Sequence, residues 1–141
     1  MSFEFVEDVT SDLAFVARGA DLAALFRAAA DAVLAATLED VATLQERVRR
    51  PVTLEEPDLE LLLLHYLNEL IYLRDAERLL LRAGPLAVAQ DGEAHLAGEL
   101  VGETIDRTRH ALLADVKAVT AHGLRVAPAR GGWEARVTLD V

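Results

Sequence analysis

Two stretches of the chain carry apolar residues at helical spacing. In the first, Leu22, Leu25, Phe26, Ala29, Val33 and Ala36 recur along one face, and alanine fills much of the remainder. Asp21 stands just ahead, where a carboxylate can accept a hydrogen bond from the first free N–H groups. The spacing predicts a helix near 21–38. In the second, Leu59, Leu62, Leu63, Tyr66, Leu67 and Leu70 form the stripe, and Leu61, Leu64 and Ile71 widen it. A stripe that broad predicts a helix covered on more than one side. Pro57 and Asp58 suit its first turn. This helix is predicted near 58–77, and Gly84-Pro85 breaks the pattern.

Elsewhere the period is two. Phe3 to Glu7 and Leu13 to Ala17 read as short strands, the second ended by Gly19. Gln45 to Leu54 is strand-like, and Pro51 assigns it to an edge or an irregularity. Leu86 to Gln90 and Glu93 to Val101 flank Asp91-Gly92, a dipeptide that favours a type I′ hairpin turn. Arg109 to Val126 starts as a polar loop and becomes a strand near Val116. Trp133 to Val141 alternates, with Trp133, Ala135, Val137, Leu139 and Val141 on one face and Glu134, Arg136, Thr138 and Asp140 on the other. The expected fold is α+β: a single domain over 1–141, a two-layer sandwich with both helices on one face of a mostly antiparallel or mixed sheet of six or seven strands.

Composition narrows the function classes. Apolar residues make up 52% of the 141, so a packed core is expected and disorder is not. No run reaches the ~18 to 20 apolar residues that span a bilayer, and Met1 to Phe5 lacks the basic start of a signal peptide. Cysteine is absent, which excludes disulfides, thiolate metal sites and cysteine catalysis. A soluble cytoplasmic protein is expected. The formal charge of −10 repels phosphate backbones, so strong direct nucleic-acid binding is not expected; it suits divalent cations and basic proteins, or solubility alone.

No phosphate loop, nucleophile elbow or zincin helix is present. His65 and Glu69 lie one helical turn apart and could share a metal, but without a third ligand they read as a polar patch. Asn68, beside them, interrupts the leucine run and is expected to fix packing or meet a loop. Lys117 is the one lysine among 14 basic residues, a place where a compact ammonium could be wanted in preference to a planar guanidinium, or an accident of composition. Asp12 and Asp140 are solitary acids in strand-like surroundings, and Val141 adds a terminal carboxylate beside Asp140. Carboxylates brought together call for a hard cation such as Ca²⁺, Mg²⁺ or Mn²⁺. Two exposed strand-end acids are the plainer alternative.

These residues fall within segments that resemble the archease family. Leu62 to Leu73 (LLLHYLNELIYL) is similar to that family's FLNELLYL helix, and Asp115 to His122 (DVKAVTAH) to its EVKAVTYH strand. Thr138 to Val141 (TLDV) resembles its LD(I/V) terminus, and Val9 to Leu13 (VTSDL) its HTADV opening. Val9 replaces the histidine of that opening, and Ala121 replaces an aromatic residue. The resemblance implies metal ligands at Asp12 and Asp140, a functional lysine at Lys117, and family histidines at His110 and His122, with these last three as contacts to a partner or nucleotide. It also implies a role as cofactor of the RNA ligase of tRNA splicing, promoting its guanylylation and multiple turnover, rather than an enzyme. The alternatives are a metal-dependent phosphoester hydrolase using the same carboxylates, with His110 or His122 as base, a chaperone-like modulator of a tRNA methyltransferase, or an interaction module that has lost its metal.

Overall fold

The computed structural model describes residues 1–7 and 12–141. The chain runs β1 (Ser2–Val6), β2 (Leu13–Gly19), α1 (Leu22–Thr37), a 3-10 turn at Val41–Thr43, β3 (Val48–Glu56), α2 (Leu59–Glu77), β4 (Leu79–Asp91), β5 (Glu93–Thr104), β6 (Ala118–Ala129) and β7 (Gly132–Asp140). The first helix starts behind Asp21 as expected, whereas the second starts at Leu59, so that Pro57 and Asp58 precede its first turn instead of forming it. The Asp21 carboxylate accepts from Ala24 N–H and that of Asp58 from Leu61 N–H, each at 2.8 Å, so both are N-caps.

The α+β class holds: the described residues form two helices and seven antiparallel strands, but the strands make two sheets rather than one. The order is β1-β2-β7-β6 in the first and β3-β5-β4 in the second. Each helix packs on both: α1 lies against β2 and β4, and α2 against β6 and β4. The helices are therefore a middle layer and not the outer layer of a two-layer sandwich. The composition of α1 suits this position, since Ala28, Ala29, Ala30 and Ala32 are all buried to within 1% and keep the helix thin. Gly19 lets α1 turn back directly onto β2, because a Cβ there would stand 2.3 Å from the backbone nitrogen of Leu25.

Three local expectations need correction. First, β4 begins at Leu79 rather than at Leu86. The second helix stops when Arg78 takes a left-handed conformation, φ 57°, as its C-cap. Gly84-Pro85 then interrupts a strand, not a helix. The two residues form a bulge opposite Glu99, the register shifting between Ala83↔Leu100 and Leu86↔Gly98. Second, the hairpin at Asp91-Gly92 exists, but only Gly92 has positive φ (88°), so the turn is not type I′. Third, β6 starts at Ala118, because residues 111–114 bond to the end of α1 instead. Leu113 N–H donates to Thr37 O at 2.8 Å and Ala114 N–H to Ala36 O at 3.3 Å, which pairs carbonyls that a helix end leaves open. Pro51 does lie on an edge strand, β3.

Most of the core is one large cluster in which the second helical stripe is central, with a smaller one of Leu34, Leu38, Leu44 and Leu80 beside it. Leu62, Leu63, Tyr66 and Leu67 are each 0% exposed, and Leu70 is 6%. Leu67→Ala leaves a cavity between the layers and is expected to lower unfolding free energy by about 2 to 5 kcal/mol, measured by denaturant melts. A melt matching wild type would show that this face is not buried.

Candidate functional site

The ends of β2, β7 and β6 meet at one edge of the four-stranded sheet. The pairing of β2 with β7 runs from Gly19↔Trp133 to Leu13↔Leu139. Asp12 immediately precedes Leu13 and Asp140 immediately follows Leu139, so the two acids stand at neighbouring ends of adjacent antiparallel strands. Both are half-buried. Asp140 is also opposite Ala118 of β6, and its carbonyl accepts from Lys117 N–H at 2.7 Å. Lys117 is thus tied by its backbone to Asp140, one of the two expected metal ligands, while its own side chain is exposed. Val141 follows, 40% exposed. The preceding part of the opening motif, Val9 to Ser11, lies outside the described residues.

The second helix holds this segment in place. Asn68 uses both ends of its amide on one residue of β6: Nδ2 donates to Val119 O at 3.1 Å, and Oδ1 accepts from Val119 N–H at 2.9 Å. An asparagine in an apolar helix here acts as a short replacement for a neighbouring strand. Arg74, one face further along, donates to Val116 O at 2.6 Å and to Asp115 Oδ1 at 3.3 Å. Lys117 lies between these two clamps. The expectation that Asn68 fixes packing is met, and Arg74 is a further support that the sequence pattern does not disclose. Its signal was present only as a basic residue in the helix's last turn.

The donors available at the strand ends are oxygen atoms. Besides the two carboxylates, Thr138 Oγ1 lies on the same face of β7 as Asp140, is fully buried, and has no hydrogen-bond partner among the described residues. An orphaned buried hydroxyl beside two acids fits an oxygen-rich, hard-cation site better than a site built on imidazole.

The histidines separate. His122 is exposed in β6, within an excursion where Ala121 to Leu124 stand opposite Val137 alone and Gly123 has φ 66°. His110 is 2% exposed and is not available at the surface to a partner or nucleotide. Its Nδ1 accepts from Asp106 N–H at 2.8 Å, which leaves the ring proton on Nε2, 3.2 Å from Glu103 Oε2. Glu103, itself buried, also accepts from Gln45 N–H at 2.6 Å and from Arg109. Burial alone would raise its carboxyl pKa; the donors on Gln45, Arg109 and His110 outweigh it and hold the group below its ordinary value. His110 and Glu103 therefore lock the 103–110 loop. His65 turns to Glu56, Nδ1 to Oε1 at 2.5 Å, and forms no pair with Glu69.

Comparison with known proteins shows the family of the chain. The model of the archease protein family matches residues 3–141. Curated archeases are similar along their whole length. That of Methanothermobacter thermautotrophicus is 34% identical over 140 residues, covering 99% of this chain and 98% of the relative. That of Archaeoglobus fulgidus is 31% identical over 141 residues and covers all of both. A solution structure of Methanobacterium thermoautotrophicum protein 1598 superposes with a TM-score of 0.83 at 34% identity, covering 99% of this chain and 98% of that one. A crystal structure from Thermotoga maritima, described as an archease and possible chaperone, shares the fold alone, with a TM-score of 0.61 at 14% identity, covering 96% and 95%.

Two outcomes follow for the supports. Asn68→Ala leaves the Val119 backbone without its partners and is expected to cost about 1 to 3 kcal/mol, read by thermal or urea melts; no loss would show that the clamp is dispensable. Glu103 has a folded-state pKa below its ordinary 4.5, so its contribution is complete above that value and disappears as pH falls through the lower folded value. Glu103→Gln should therefore destabilise at pH 7 and flatten the acid limb of the stability profile. A parallel profile would place the acid sensitivity elsewhere.

Proposed function

Because the chain belongs to the archease family, we propose that it is a metal-binding accessory protein that activates an RNA ligase of tRNA splicing in the cytoplasm, rather than an enzyme with its own substrate. The observation that carries this reading is the register of β2, β7 and β6, which gathers Asp12, Asp140 and Lys117 at one edge of one sheet. These residues come from the first dozen positions, the last two, and the segment ahead of β6. Three of the four stretches by which the chain resembles archeases therefore meet there, and the fourth, on α2, supports them through Asn68.

The carboxylates of Asp12 and Asp140, with oxygen atoms of Val141, would hold the ion, and Ca²⁺, Mg²⁺ or Mn²⁺ matches an all-oxygen donor set. The bound cation would supply concentrated positive charge at the tip of a protein whose net charge is −10. The rest is the work of the chain's own residues. Lys117 extends a mobile ammonium beside the acids, able to meet a carboxylate or a nucleotide phosphate of the partner. His122 offers an imidazole from the exposed part of β6. The clamps by Asn68 and Arg74 keep the Lys117 segment from swinging away. The acidic surface favours a basic protein over free RNA.

Calorimetric cation titration of Asp12→Ala and Asp140→Ala should show weakened or lost binding with the fold intact. Guanylylation and ligation by the organism's own ligase should fall with either variant. Lys117→Arg should also impair activation, because it keeps charge and changes shape. Full activation by the double aspartate variant would overturn the reading. Turnover of a phosphoester by the protein alone, lost with the same aspartates, would favour the hydrolase reading instead.

A further inference from the structure

The outer face of the three-stranded sheet carries a second set of metal-type donors, remote in sequence from Asp12 and Asp140. His95 lies on the central strand β5 and is registered opposite Glu55 of the edge strand β3. Glu93 precedes His95 by two residues, which puts both on the same face of β5. One donor atom from each of Glu55, Glu93 and His95 lies within 4.8 Å of the other two, and no other such trio occurs among the described residues. Asp91, at the end of β4, adds a fourth group: its Oδ1 is 2.9 Å from His95 Nε2.

The orientation of the imidazole matters most. With Nε2–H donating to Asp91, the lone pair of Nδ1 is left facing Glu55, whose Oε2 is 3.9 Å away. A carboxylate that fixes the tautomer of a histidine through its remote nitrogen is the usual outer support of an imidazole ligand. The two glutamates pose the complementary question. Both are exposed and could swing apart into water, yet each holds a carboxylate oxygen within 4.8 Å of the other and of the imidazole. Something positive between them, a proton or a cation, relieves the repulsion.

We propose that Glu55, Glu93 and His95 form a binding site for a borderline divalent cation of the Zn²⁺ class, with Asp91 as its outer-shell support. The presence of a nitrogen donor separates this site from the oxygen-only strand ends and favours Zn²⁺, Co²⁺ or Ni²⁺ over Ca²⁺. Tetrahedral Zn²⁺ holds its N and O ligands roughly 3.3 Å apart, so glutamate side-chain rotation suffices to close the trio. The rigid part of the site is already in place, because two ligands sit at alternate positions of one strand and the third is their cross-strand neighbour. Bound metal would tie β3 to β5 beside the β4–β5 hairpin.

The test is calorimetric titration of the full chain with Zn²⁺ at pH 7.5, alongside NMR of the histidine rings. One Zn²⁺ equivalent is expected, with the His95 ring signals, identified by their loss in His95→Ala, shifting on addition. His95→Ala and Glu93→Gln should each weaken that binding by at least ~10-fold, and Asp91→Asn by ~10-fold. His65→Ala, which removes another exposed imidazole with an acidic neighbour, should leave it unchanged. The proposal is overturned if the wild-type His95 signals do not move, or if His95→Ala or Glu93→Gln binds Zn²⁺ as wild type does. Weakening by His65→Ala equal to that by His95→Ala would likewise reduce the effect to unspecific surface binding. Should a variant fail to fold, the wild-type ring shifts still decide.

Discussion

The architecture depends on a helix layer that is wetted on neither of its broad sides. A helix with a sheet on one face can keep a polar back; a helix between two sheets cannot. In α1 this is solved with alanine, which is small enough for β2 and β4 to approach from opposite directions. In α2 it is solved with leucines that bury a broad face, and with several of the polar side chains given defined partners on β6 and the segment before it. Glu60 meets Val126 N–H, Asn68 meets Val119 and Arg74 meets Val116. The polar interruptions of the apolar helix are thus the points at which one sheet is fastened to it. A buried polar group must be paired, and the pairing here carries positional information to the segment that bears Lys117.

That fastening links the fold to the candidate site. The carboxylates stand at the ends of the central strands β2 and β7, so their separation is set by ladder hydrogen bonds. Lys117 stands just before an edge strand, where a ladder exists on one side only. The α2 side chains supply the other side. The Lys117 segment is therefore braced twice, once by its backbone bond to Asp140 and once from the helix. His110 makes a different contribution. Although it resembles a family histidine, its two nitrogens are consumed by Asp106 and Glu103, and its role is to hold the loop that leads toward the site.

Much of this was legible in the residues. The first helix start was, because the N-cap Asp21 and an apolar stripe are local features; the second was legible to within a residue or two, with Asp58 capping the helix instead of lying in its first turn. So was the double coverage of the second helix, from the width added by Leu61, Leu64 and Ile71. The division into two sheets was not. Alternation shows which face of a strand is buried but not which strand it pairs with, and Leu79 to Ala83, almost wholly apolar, shows no alternation at all. Gly84-Pro85 was misleading for a related reason: a break in pattern looks alike whether it ends a helix or bulges a strand. At the site, Asp12 and Asp140 could be singled out as acids in the wrong surroundings, but their adjacency is a fact of register. The same holds for Glu55, which lies 38 residues before Glu93 in sequence and only across one strand in space.

The hydrogen bonds that α2 makes to β6 also decide what the sheet can do at its boundary. An edge strand normally offers a row of open amide and carbonyl groups, an invitation to any extended peptide and a route to aggregation. Along β6 and the segment before it, the groups at Val116, Val119 and Val126 are already taken by side chains from within the chain, and the excursion at Ala121 to Leu124 breaks the straightness that an added strand would need. At these positions the margin is closed to recruitment by backbone pairing. Any protein that docked beside Lys117 would have to read side chains and charge, not the generic stickiness of a bare sheet edge.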